Sequence, residues 1–260
     1  LVAGFPNNIP TSDYAADADN AWTDGPAVDA HAYAGYTYDY YFKRFGRRGL
    51  NNANITMRSF VHPVRREDVL QQSPDVQGTF YLNAFYAGEG VMVYGEGIAT
   101  NLQAGGQRWN YLSGALDIVG HELTHGVTDY TSRLIYQGES VALNVAFSVM
   151  MGTAIEFNYQ TAGSGSMRAD YLIGEDVITP ASFSLAGLRS MADPTLFGDP
   201  DHYTARYTGS LDNGGVHLNS GIANKAYYLA IEGGTHRLGG RVTGVGASNR
   251  EQIERVFYRA

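Results

Sequence analysis

The pentapeptide His121-Glu122-Leu123-Thr124-His125 constrains this chain more than any other stretch. Two histidines four apart on a helix project from the same face, one turn above the other. Their imidazoles can share one metal ion, and the glutamate between them can reach a metal-bound water. Two solvated histidines on a surface helix would fit the same letters, so the surrounding sequence has to decide between the two.

The flanks support a helix. Leu116, Ile118, Val119, Leu123 and Val127 give residues 112–130 an apolar side at helical spacing. Upstream, residues 27–45 read as a helix closed by Gly46. The alternation Ile55, Met57, Ser59, Val61 predicts a strand, and residues 65–78 read as an inserted loop. Residues 81–86 and 91–95 read as strands whose sheet edge can face a cleft. Downstream, residues 140–157, 219–232 and 251–259 carry helical patterns, the last running to the chain end, as if more sequence followed. Strand character gives way to helix character near residue 130. The expectation is therefore an α+β fold of two lobes, a β-rich part over 1–130 and a mainly helical part over 131–260, with the histidine helix at the cleft between them.

Composition narrows the chemistry. Net charge is −8 with no basic run, against the clustered Lys and Arg that nucleic acid binding needs. There is no cysteine, which excludes thiolate metal sites and disulfides. No apolar run is read as long enough to span a membrane. Absent cysteine fits a secreted protein, and no signal peptide is visible at Leu1.

Further motifs carry a resemblance. Residues 119–128 (VGHELTHGVT), 134–137 (LIYQ), 173–177 (IGEDV), 188–191 (LRSM), 198–203 (GDPDHY) and 212–221 (DNGGVHLNSG) keep their order along the chain. Together they resemble the thermolysin family of zinc metallopeptidases. The resemblance implies Zn²⁺ on His121 and His125, with Glu122 taking the proton from the attacking water. It implies that Tyr136 and His217 donate to the developing oxyanion, that Asp212 orients His217 and that Arg189 holds a substrate carbonyl. Asn83, Ala84 and Tyr86 match the strand that grips substrate backbone. Trp109, Leu112, Ile118, Ile173, Val177 and Leu188 match a pocket for the bulky apolar residue after the cleaved bond. Asp117, Glu156, Asp170 and Glu175 match Ca²⁺ ligands. One further carboxylate is replaced by Leu172, so one ion is expected instead of a pair. The implied protein is a secreted, monomeric endopeptidase acting on peptides or proteins.

One helix departs from the pattern. The family reads Gly-Ala-x-Asn-Glu-x-x-Ser-Asp, whose glutamate is the third zinc ligand and whose aspartate supports a ligating histidine. This chain places Val141, Val145 and Val149 at the glycine, glutamate and aspartate positions. Valine has no donor atom, and two histidines fall short of three protein ligands. The expectation is weak zinc binding and impaired hydrolysis, with a disabled peptide-binding protein on the same fold as the alternative. A third reading is a different metal-dependent hydrolase on a drifted scaffold.

Overall fold

A computed structural model describes residues 10, 14–134, 137–182 and 185–260. The first element is a long helix, α1 (Gly25–Phe45). Asp24 caps it by accepting from the Ala27 amide, Pro26 sits in its first turn, and Gly46 closes it at φ +71°. These are ordinary start and stop signals, and glycine takes the left-handed closing position without steric cost. Tyr33, Tyr40 and Tyr41 lie on its buried face.

Three strands form the main sheet: β1 (Arg58–Phe60), β2 (Ala84–Gly88) and β3 (Val91–Tyr94). The spatial order is β1-β3-β2, with β1 parallel and β2 antiparallel to the centre. Every residue of β3 is buried, which is why it reads as a continuous apolar run. The strand expected over 55–61 contracts to β1. The stretch expected as a loop over 65–78 is ordered instead. It forms a 3₁₀ turn at Arg66–Gln71 and helix α2 (Pro74–Phe80), capped by Ser73. Its polar surface hides its role, because only Val69 is fully buried in the small core beneath, beside Tyr81 and Ile98, while Val76 and Phe80 pack against it half-buried. Short β4 (Gln107–Trp109) leads through a 3₁₀ turn at Leu112–Gly114 into the histidine helix, α3 (Leu116–Asp129).

Helix α3 crosses α4 (Glu139–Tyr159) at close range. A Cβ on Gly152 would lie 2.5 Å from the Asp117 carbonyl, and one on Gly120 would lie 2.9 Å from Ile155. The bare backbones therefore touch at the crossing. Fourteen residues of α4 are buried. Contrary to the sequence expectation, α4 is long and apolar enough to span a membrane, with mean hydropathy 1.4. Glu139, Asn144 and Glu156 interrupt the run to the eye, but 78% of that window is buried inside the protein, as a core helix is.

Short strand pairs follow. β5 (Thr161–Ala162) joins β6 (Arg168–Ala169), and β7 (Leu172–Ile173) is followed by β8 (Ile178–Pro180), which joins β4. Then β9 (Arg189–Ser190) joins β7. Helix α5 (Asp212–Glu232) begins with left-handed residues Asp212 to Gly215 before its regular turns. The pair β10 (Gly234–Thr235) and β11 (Arg241–Val242) precedes α6 (Arg250–Arg259). The main core joins α1, β3, α3, α4, α5 and α6 around residues such as Tyr41, Met92, Leu123, Met151 and Ile231. The sheet and the helical layers thus meet across α3.

Candidate functional site

A cavity of about 620 Å³ opens along α3, walled by β2 on one side and by residues of the helical part on the other. His121, Glu122 and His125 line its floor. The two Nε2 atoms lie 3.0 Å apart and the rings meet edge to face at 80°. Behind them Tyr41 hydroxyl bonds Thr124 Oγ1 at 2.7 Å, and Thr124 donates to the Gly120 carbonyl, which ties the floor helix to α1.

The hydrogen bonds fix the imidazole protons. Asn144 Oδ1 lies 2.7 Å from His125 Nδ1, so that nitrogen donates and His125 Nε2 keeps its lone pair. His121 Nε2–H then donates to it. That leaves a lone pair on His121 Nδ1, which is buried and without a partner among the described residues. Burial, then the neighbouring His125, hold His121 far below its ordinary value. Burial takes His125 down to about 4 and pushes Glu122 up to about 8.

These residues fit a metal ion only in part. To offer both Nε2 lone pairs, His121 must move its proton to Nδ1. The resemblance sets an accepting aspartate at the position of Val149, which is buried in the main core. A buried donor left unpaired costs on the order of 1–3 kcal/mol. Val145, which the family resemblance sets at the third-ligand position, packs with Val141 and with Val216 of α5 in a separate apolar cluster. Two neutral imidazoles alone do not make a three-ligand zinc centre.

The rest of the cleft is polar on one wall and apolar at one end. Asp212 Oδ1 lies 2.5 Å from His217 Nδ1, and its other oxygen accepts the His217 amide at 2.7 Å. Burial opposes its ionisation, but the His217 hydrogen bond holds Asp212 below the usual carboxylate range. The left-handed turn at 212–215 precedes His217, which lines the cleft with Asp212 behind it. Arg189 on β9 lines the same wall. Burial lowers it, against the nearby charges of Asp199, Glu122 and Asp212. Ala84 and Tyr86 of edge strand β2, with Asn83 just before it, line the opposite wall. Leu112, Ile118, Ile173 and Leu188 line the apolar end. Trp109 and Val177 stand behind them, in the packing cluster that supports that end. Tyr136 lies outside the described residues.

A second group of acids lies away from the cleft floor. Glu156 on α4 comes together with Glu175 and Asp176, ligand atoms within 4.8 Å of one another. Both oxygens of Glu156 and of Glu175 are buried without a hydrogen-bond partner among the described residues. Burial, reinforced by the neighbouring acids, pushes Glu156 up to about 11 and Glu175 to about 9. Asp117, pushed by burial to about 7, accepts from the Gly174 and Ile118 amides. Asp170 accepts from the Leu172 amide. Unpaired buried carboxylates are what a hard divalent cation neutralises, and oxygen donors suit calcium. Sequence reading passed over Asp176, although it adjoins Glu175. It also passed over the partnership of Asn144 with His125, and Asp199 beside Arg189. The last is legible only in three dimensions, as an acid that burial pushes to about 7.

A three-stranded sheet beside a histidine-bearing floor helix, with helices α4 and α5 behind, defines the two-lobed α+β zincin class of metallopeptidase. The description "Thermolysin metallopeptidase, catalytic domain" matches residues 5–129, and "Thermolysin metallopeptidase, alpha-helical domain" matches residues 132–260. The chain belongs to the thermolysin metallopeptidase family. It is 48% identical to bacillolysin of Bacillus cereus over 248 residues, covering 94% of this chain and 38% of that one. It is 48% identical to thermolysin of Alicyclobacillus acidocaldarius over 250 residues, covering 94% and 39%. The chain thus spans about two fifths of the length of these curated relatives. Among solved structures it resembles the precursor of protealysin, a metalloproteinase from Serratia proteamaculans. The TM-score is 0.64 at 27% identity, covering 94% of this chain and 80% of that one.

Proposed function

We propose that this chain is a thermolysin-type metalloendopeptidase scaffold that binds extended peptides in the cleft but hydrolyses them poorly. The observation that carries the reading is the valine face. Val145 and Val149 occupy the ligand and support positions, and His121 Nδ1 is buried without a partner among the described residues. The peptide lies along the free edge of β2, with a bulky apolar side chain between Ile118 and Ile173. Arg189 and His217 supply donors to its carbonyls, and Glu122 faces the bond beside the histidines. The acids around Glu156 hold Ca²⁺ and brace the cleft. By kinship the protein acts outside the cell on peptides or proteins.

Zinc analysis and cleavage of a quenched fluorescent peptide with Phe after the scissile bond test this. The expected result is substoichiometric zinc and a kcat/KM roughly 100-fold below that of the double variant Val145→Glu, Val149→Asp. One tightly held zinc with full turnover in the unaltered chain would sink the reading. Peptide binding with no cleavage at all would select the disabled, peptide-binding alternative, which the packing of Val145 against Val216 favours. A double variant that still takes no zinc would show that α4 is misassigned.

A further inference from the structure

The cleft has an ionic end that the reading above leaves unused. Strand β2 and helix α3 run along it in the same sense. Ala84 packs on the cluster containing Leu112 and Ile118, at the apolar end. Tyr86 approaches Gly126, where an added Cβ would sit 3.1 Å from its ring. Beyond it lie Gly88, Asp129 and Arg133, all lining the cavity. An apolar side chain held at Ile118 therefore puts the residues before the scissile bond toward Asp129 and Arg133.

Arg133 is held there at a cost. The chain leaves α3 through a turn in which the Thr131 and Arg133 amides both donate to the Thr128 carbonyl. Arg133 takes φ +48° in that turn, a conformation only glycine adopts freely. Strain of this kind on an L residue clusters at binding sites. Its guanidinium is exposed at the rim and forms no ion pair among the described residues, not even with Asp129 one turn before it.

We propose that Arg133 makes this cleft select a carboxylate side chain at the second residue before the scissile bond. The inference rests on the peptide-cleft reading above. In an extended peptide, side chains alternate faces, so that residue shares a face with the apolar one after next. It sits about 7 Å further along the cleft, on the side of the floor helix. The middle of the histidine pair to Asp129 is about 9 Å of helix, which leaves the gap for an arginine side chain to span. Asp129 faces the same space and opposes an acidic ligand, so the two charges compete for the sign of the subsite. The longer side chain of Arg133 sets that sign.

The test is the affinity of the full chain, without added metal, for three fluorescent hexapeptides. Each carries Phe for the apolar end and Glu, Gln or Lys at the position in question. Glu is expected to bind about fivefold tighter than Gln, and Lys more weakly than either. Arg133→Gln and Arg133→Gly should both bring Glu and Gln to parity, through a loss of affinity for the Glu peptide. Parity in the unaltered chain, a preference for Lys, or a Glu preference that survives Arg133→Gln overturns the proposal. If none of the three peptides binds, the peptide-cleft reading itself fails, and the inference falls with it.

Discussion

At the scale of single residues, the molecule turns on which polar atoms find partners. The substitutions at Val145 and Val149 are legible in the sequence once α4 is aligned by its Asn144. Their consequence is not, because it depends on the proton of His121. That proton is placed by a relay from Asn144 through His125, with 2.7 and 3.0 Å contacts between residues up to 19 positions apart. Arg133 was likewise passed over, since no local pattern marks a left-handed arginine. A third residue, His62, offers a clean pH test. Its φ is +51°, and its ring bridges Glu96 (2.9 Å) and Asp24, the cap of α1 (3.0 Å). Arg66 faces Glu96 from the other side at 3.9 Å. Burial works against the charged ring, but the Asp24 hydrogen bond and the Glu96 charge hold His62 above its ordinary value. A raised folded value means the stabilisation is complete below the unfolded value of about 6.5 and fades as pH climbs through the folded one. The unaltered chain should therefore melt higher than His62→Gln at pH 5.5, by a margin that shrinks toward pH 9. An equal margin at both ends would show that the ring's charge plays no part.

Among the elements, α3 and α4 decide the geometry of the cleft floor. Their contact is so close that the Gly152 position has no room for a methyl group. Gly152→Ala should cost about 1–3 kcal/mol in urea unfolding, since the clash is with the backbone carbonyl of Asp117 and no side chain can turn away. A neutral result would mean the helices slide apart freely, and with them the histidines. Both helices were legible from periodicity to within a few residues at most ends. The stretch at 65–78 was not, because a 3₁₀ turn and a seven-residue helix leave too few turns for an apolar stripe. Helix α5 shows the same limit from the other direction. Its regular part was foreseen, but the left-handed run at 212–215 that precedes His217 reads, locally, as a simple glycine turn.

Across the whole molecule, five acids from α3, α4 and the loop around β7 converge where both parts of the chain meet. Their mutual repulsion and burial are what a bound cation would relieve. Chelation of calcium should lower Tm by roughly 5–10 °C, from a few kcal/mol of binding linkage at this chain size. Glu156→Gln should remove the dependence. A Tm indifferent to chelator would argue that the carboxylates are simply protonated.

By itself the sequence determined the local pattern: a floor helix with two histidines and a glutamate, an apolar partner helix with three valines on one face, and a fold family legible from motifs in fixed order. These follow from period and residue type, which act within a few turns of chain. Tertiary structure decided what those residues can do. It set Val216 over Val145, left the His121 Nδ1 lone pair without a partner among the described residues, brought Asp176 beside Glu156, and set Arg133 at the rim of the cleft. Each depends on atoms far apart in sequence meeting within a few ångströms, and only the packing of the helices and the sheet fixes those distances.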